Sequence, residues 1–485
     1  MSLEMNKQTY LYTFLIVFFV KISFLLLFQY FSPEGISQSL SFYNYTGDTN
    51  SYLAPMQNYI AEDTYLVEKS NIKYYSIRPP HYTIIYLFLQ KIGLENNASF
   101  NVIVLIQVIV NSLSVIALSI LAMKISKHKI AFYLTFILLT LSSSMSYLNS
   151  FLAPESLAIS FVSISLFLIY KFYESKNSKY LFFASILIAL SVQLRPYILL
   201  ILILPFIYSL ITFFRDKHSF NFLRNIFLSG FAMMIIFLPW TYRNYKIYNT
   251  FAPYDYKILD FYYDGNYDIS TTKAKRNLLV AVGESDVFWD IKSMSSFFEN
   301  DSSRFKTESL FNFNSYYFSK SITQKDYNKA RTLYIESLDS VYDIKDINSI
   351  KYFNHLAYQY KKEKPVNYYI ISKIRLVSDM VFHNSTYFFP FTFNQDSSFA
   401  ILLKLWKLSE FALYKLILVF SFLGAIICVL KKKHEALFIL LPLSVLITTS
   451  LLGHAEYRYF TLSYPILFIF AIYGLITITN IRYKR

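Results

Sequence analysis

Six short stretches of this chain set charged or proton-accepting side chains beside prolines, glycines or aromatic rings. They are Tyr45-Thr46-Gly47-Asp48-Thr49, Arg78-Pro79-Pro80-His81-Tyr82, Ala153-Pro154-Glu155-Ser156, Leu194-Arg195-Pro196-Tyr197, Pro239-Trp240-Thr241-Tyr242-Arg243-Asn244-Tyr245 and His454-Ala455-Glu456-Tyr457-Arg458-Tyr459. Arginine is a planar, permanently charged fork that matches phosphate, and several forks meeting at a membrane surface can hold a lipid phosphate. A carboxylate beside that phosphate can take a proton from an incoming hydroxyl or amine while the arginines neutralise the departing charge. Asp48, after the turn-forming Gly47, is the carboxylate best placed to be that base. Taken singly, each residue has a plainer account. A lone arginine at a helix end usually meets lipid headgroups, and Glu155 behind Pro154 suits a helix start. His81 and His454 are more often structural than metal ligands, and Glu456 and Arg458, two apart, form a local ion pair.

The elements that must position these residues are membrane spans. The chain has 485 residues, 55% hydrophobic, 20% aromatic and only 16% charged, against about a quarter charged in soluble domains. Apolar runs long enough to cross a hydrocarbon core of about 30 Å fall at residues 10–31, 101–123, 130–148, 155–170, 180–193, 196–214, 227–240, 411–430, 436–452 and 461–479. The stretch 180–214 is too long for one span and is interrupted by Gln193-Leu194-Arg195-Pro196. Residues 82–93 are apolar for only about a dozen positions, which suits an interfacial helix. The first run lacks a small-residue cleavage site and reads as a retained span. Lys21 sits midway along it and receives no role beyond snorkelling or a buried partner.

The net charge of +15 does not point to nucleic acid, because the bases cluster between spans. With ten spans, the clusters Lys124/Lys127/Lys129, Lys171/Lys176/Lys179, Arg215/Lys217/Arg224, Lys431/Lys432/Lys433 and Arg482/Lys484/Arg485 share one side with Lys7. The positive-inside rule makes that side, and both termini, cytoplasmic. All six chemical stretches then fall on the opposite face. A single cysteine, Cys428, excludes an intramolecular disulfide. The fold expected is an all-α polytopic membrane protein of about ten transmembrane helices, with a juxtamembrane helix in the first outer loop (32–100) and an outer soluble domain of mixed or open fold. Its parts are an N-terminal membrane module at 1–240, the large outer loop at 241–408 and a three-span C-terminal module at 409–485.

In this order, the six stretches resemble the GT-C glycosyltransferases, multi-span enzymes that use lipid-linked sugars and include protein O-mannosyltransferases and the lipid A aminoarabinose transferase. The resemblance covers the membrane half and not the large outer loop. It implies that Asp48 is the catalytic base and Glu155 a second active-site acid, and that Arg78, Arg195, Arg243 and Arg458 bind the donor phosphate. His81, Tyr82, Asn244, Tyr245 and Glu456 fall within the same motifs. Relatives often pair two acids in the first loop or place an acid before the basic-Pro-Pro segment. Here Thr49 follows Asp48 and Ile77 precedes Arg78, which argues against a bound divalent metal, and no cofactor is expected.

The implied activity is transfer of a sugar from a polyprenyl phosphate or diphosphate to a glycan, lipid or protein acceptor, in a plasma (inner) membrane and in modification of lipopolysaccharide or cell-wall glycan. The rival is a transporter or flippase for lipid-linked sugars. Transporters usually carry paired repeats and midplane sites, whereas here no repeat is evident and the charges gather at one surface. With nine glycines and no phosphate-cradling glycine loop, a nucleotide-sugar donor is not expected.

Overall fold

The computed structural model describes residues 5–30, 42–45, 48–69, 72–74, 78–216, 219–249, 251, 267–285, 294–298, 313–338, 344–382, 400–452 and 456–483. Thr46, Gly47, Ile77, His454, Ala455, Lys217, Lys484 and Arg485 lie outside the described residues. The chain opens with α1 (Lys7–Tyr30), α2 (Thr49–Glu62) and a short antiparallel hairpin, β1 (Val67–Lys69) with β2 (Ile72–Tyr74), in which Val67 faces Tyr74. Then come α3 (Ile84–Lys91), α4 (Asn96–Ser126), α5 (Lys129–Leu141), α6 (Ser143–Ser150), α7 (Glu155–Ser175) and α8 (Ser178–Leu194). A 3-10 turn (Pro196–Ile203) leads into α9 (Leu204–Asp216), and α10 runs Ser219–Tyr248.

Among the described residues eight helices are long and apolar enough to cross a membrane, and α5 with α6, bent by 51°, make a ninth. Helix α8 has 17 residues, about 26 Å at 1.5 Å per residue, a little short of the hydrocarbon core. These segments coincide with the ten apolar runs of the sequence. With eight residues, about 12 Å, α3 is too short to span.

Each break has a local cause. Pro196 disfavours helical geometry at the residue before it, and Arg195 is extended (φ −146°, ψ 99°). Ser444 and Thr448 bond the carbonyl of Tyr197 at 3.0 and 2.7 Å, and Ser444 accepts from the Leu200 amide at 3.0 Å. At the α5–α6 bend, Lys21 Nζ donates to the Leu139 carbonyl (2.8 Å) and Ser146 Oγ (2.9 Å), while Glu410 accepts from the Ser143 amide (3.0 Å) and Trp406 Nε1 (3.1 Å). Lys21, given no role from the sequence, therefore repairs a broken helix inside the bundle. From the far end of α6, the Ser150 carbonyl accepts from the Asn44 amide (2.7 Å), and the Asn44 carbonyl accepts from Leu152 (3.2 Å). That pairing brings the loop before Asp48 beside the turn before Glu155.

The region between α10 and the last membrane helices holds α11 (Tyr267–Val282), α12 (Met294–Phe298), α13 (Gln324–Leu338), α14 (Ile344–Glu363), a π turn (Asn367–Ile371) and α15 (Ser372–Phe382). Its fold, open from the sequence, is helical among the described residues. Leu278, Phe298, Tyr317, Tyr327, Phe353 and Tyr360 build its own core. The chain re-enters the bundle through α16 (Ala400–Leu430), which starts well before residue 411, and continues with a 3-10 turn (His434–Ile439) and α17 (Leu440–Leu452). Last come α18 (Tyr457–Phe460), a 3-10 turn (Thr461–Ser463) and α19 (Tyr464–Tyr483).

Gly424 of α16 and Gly474 of α19 let two backbones touch. A Cβ on Gly424 would overlap the Phe470 carbonyl oxygen. Small residues of this kind are how membrane helices approach closely. At one end of the bundle Lys124 meets Glu174 (3.3 Å), Lys433 bonds the Ile125 carbonyl (2.9 Å) and Arg215 bonds the Tyr173 carbonyl (3.1 Å). The acids and arginines of the first, second, third, fourth and sixth stretches meet at the opposite end.

Candidate active site

Asp48 occupies the N-cap position of α2, yet its carboxylate makes no cap bond. It turns instead to Arg458, 2.6 Å away, and to Arg78 at 3.8 Å. Arg458 is the hub, reaching Glu456 at 2.6 Å and Glu155 at 3.6 Å as well. Glu155, placed at the first residue of α7 behind Pro154, also pairs with Arg195 from the extended residue between α8 and the 3-10 turn. Three carboxylates thus face three guanidiniums, contributed by five separate stretches of the sequence. One Glu155 oxygen, Oε2, is buried and meets no hydrogen-bond donor among the described residues.

Burial is graded through the cluster. The Glu155 and Arg195 side chains are 2% exposed, whereas Arg458, Asp48 and Arg78 are 17, 25 and 33% exposed. The site is therefore dry at its base and open at its mouth, where a ligand can enter. Tyrosine rings wall it: Tyr52 lies under Arg78 (4.8 Å) and Arg195 (5.7 Å), and Tyr459 under Arg458 (5.4 Å) and Arg195 (5.8 Å). Tyr197 stacks on Tyr459 at 3.9 Å, and Tyr82 meets Tyr52 edge-on at 5.9 Å. Such faces attract cations and hold them in plane. Burial alone would push the Asp48 carboxyl up, but Arg458, Arg78 and Arg195 outweigh it and hold the group below the ordinary carboxylate range.

Other expected residues take different places. Arg243 stands in a neighbouring layer. It donates to the Tyr65 carbonyl at 2.9 Å, reaches Asn244 Oδ1 at 3.4 Å and lies over the Trp240 ring at 4.5 Å. The Tyr65 hydroxyl in turn donates to the Arg78 carbonyl at 2.9 Å, so Arg243 adjoins the cluster through Tyr65. Asn244 is buried and Tyr245 exposed. His81 Nε2 lies 3.2 Å from the Ile236 carbonyl, one turn before Pro239. Burial lowers its pKa, so the ring is neutral at physiological pH and adds no cation. The Tyr82 hydroxyl donates to Gln107 Oε1 at 3.4 Å. Tyr52, Tyr197 and Tyr459 lay within or beside the motifs but carried no assigned role. The signal for Tyr52 is its spacing, four residues from Asp48 and thus on the same side of α2. Asp48, Glu155 and Glu456 all bind Arg458 rather than converge on an empty centre, and among the described residues no group of three or more His, Cys, Asp or Glu could hold a metal ion.

Residues 78–242 match the model of the dolichyl-phosphate-mannose-protein mannosyltransferase family. The match covers about a third of the chain and supports a GT-C type membrane glycosyltransferase that uses a polyprenyl-phosphate sugar donor. It includes Arg78, Glu155 and Arg195, and leaves Asp48, Arg243 and Arg458 outside. No curated protein and no solved structure matches the chain.

Proposed function

We propose that this protein moves a sugar from a polyprenyl phosphate or diphosphate to a glycan, lipid or protein acceptor on the non-cytoplasmic face of a plasma (inner) membrane, with Asp48 as general base. The observation that carries the reading is the sharing of Arg458 between Asp48 and Glu155 at the open end of a dry arginine cluster. The donor phosphate competes with Asp48 for Arg458 and Arg78. Three acids already balance three arginines, so an added phosphate leaves the cluster net negative and raises the proton affinity of Asp48. The carboxylate is released when a base is needed.

Asp48 then accepts the proton of the acceptor hydroxyl or amine as that atom bonds to the anomeric carbon. The bond from that carbon to the phosphate oxygen breaks, and its electron pair leaves on the polyprenyl phosphate, neutralised by Arg78, Arg195 and Arg458. One displacement inverts the sugar. The test is to incubate purified protein with candidate polyprenyl-phosphate sugars and follow sugar release or transfer. Turnover by wild type and its loss in Asp48→Asn support the mechanism; equal turnover by both removes Asp48 as base.

A further inference from the structure

A second cleft, of about 340 Å³, lies where the outer helices meet the end of α17. That volume falls at the small end of ligand clefts, about 300–1,000 Å³. Arg276 of α11, Lys361 of α14 and Lys373 of α15 line it, and among the described residues no acidic side chain does. Lys361 Nζ and Lys373 Nζ lie 5.4 and 5.9 Å from the same ring, that of Tyr368. Basic side chains on the walls of one concavity set up a field that attracts an anion. Asn354, Tyr358 and Lys361 follow at helical spacing along one side of α14 and also line the cleft. Tyr358 is 61% exposed and offers an open ring face, while Asn354 offers an amide that both donates and accepts.

Cation, aromatic face and amide together match a sugar ring bearing a carboxylate or phosphate better than they match a bare headgroup. The remaining wall includes Leu451 at the end of α17. Helix α15 packs on both α17 and α18, and α18 carries Arg458. A ligand here is held by the same helices that flank the arginine cluster. We propose that this cleft is the acceptor subsite and that it takes an anionic saccharide. The assignment to acceptor rests on the transferase reading; the ligand class rests on the cleft alone.

The test uses the full chain in nanodiscs of phosphatidylcholine, with a galacturonate trisaccharide and the neutral maltotriose as probes. The uronate should bind about tenfold or more tighter than maltotriose. The double variant Lys361→Gln/Lys373→Gln should lose that preference while melting at the wild-type temperature. Tyr358→Ala should weaken the binding of uronate without changing its salt dependence. Equal binding of the two probes, no uronate binding, or an unchanged double variant would overturn the proposal. So would loss of uronate binding by wild type in phosphatidylglycerol nanodiscs, which would assign the cleft to lipid headgroups. Wild-type hydrolysis of the lipid-linked donor is measured in parallel. Its absence would sink the transferase reading and leave the binding result standing, and the reverse outcome would sink only the subsite.

Discussion

Asp48 meets Arg458 at 2.6 Å and Arg78 at 3.8 Å without capping its own helix, so removing its charge should separate binding from chemistry. Asp48→Asn is expected to insert and bind donor while losing on the order of 10² to 10⁴ in turnover. The same replacements at Glu62 and Asp63, exposed acids of the same loop, should leave turnover near wild type. Because the folded carboxyl is held below its usual range, its ionised form stabilises the fold above the unfolded pKa of about 3.9. That contribution is lost as pH falls through the lower folded value. Melting temperature should therefore decline below about pH 4 in wild type and decline less in Asp48→Asn. Glu155→Gln is a different experiment, since it leaves Arg195 buried beside a neutral partner. Breaking a buried pair costs about 3–5 kcal/mol, so this variant should melt early, and Glu155→Gln with Arg195→Gln should recover part of the loss. Between the arginines, Arg458→Ala should weaken donor binding by about 2–5 kcal/mol. Arg243→Ala, removed from the cluster by Tyr65, should cost less. Equal losses in donor titrations would put Arg243 on the phosphate itself.

At the scale of elements, the arginine hub stands on α18, directly ahead of α19, and α19 is held by its contact with α16. Gly424 lies so close to the Phe470 carbonyl that a methyl group cannot enter without moving a helix. Gly424→Ala should therefore destabilise by about 1–3 kcal/mol, the range for overpacking, and should lower turnover through displacement of Arg458. Gly230, with open space around it, is the control, and its alanine variant should match wild type in melting and activity. The element ends were readable where the cause is local. Pro196 placed the break at Arg195 and Pro154 placed the start of α7. The bend between α5 and α6 was not readable, because what sustains it is Lys21 from one helix and Glu410 from another.

For the whole molecule, the two ends of the bundle differ in chemistry: basic clusters gather at one and the carboxylate–arginine cluster at the other. Reporter fusions after Lys129, Lys179 and Lys433 should read cytoplasmic, and fusions at Asn50 and Lys325 should read external. A cytoplasmic reading at Asn50 would place the candidate site on the wrong side for the reaction proposed. The helical region between α10 and α16 was not legible, since its aromatic and polar residues cover a small core of their own without the long apolar runs that announce a span. The positions of the apolar helices could be read directly, because a bilayer imposes a fixed length on contiguous apolar residues. The candidate residues were legible as types with a shared face. Which acid meets which arginine was decided only in three dimensions: Glu155 and Arg195 are 40 positions apart, and Arg458 reaches Asp48 from the far end of the chain. An ion pair depends on where packed helices place their side chains, and no local pattern carries that information.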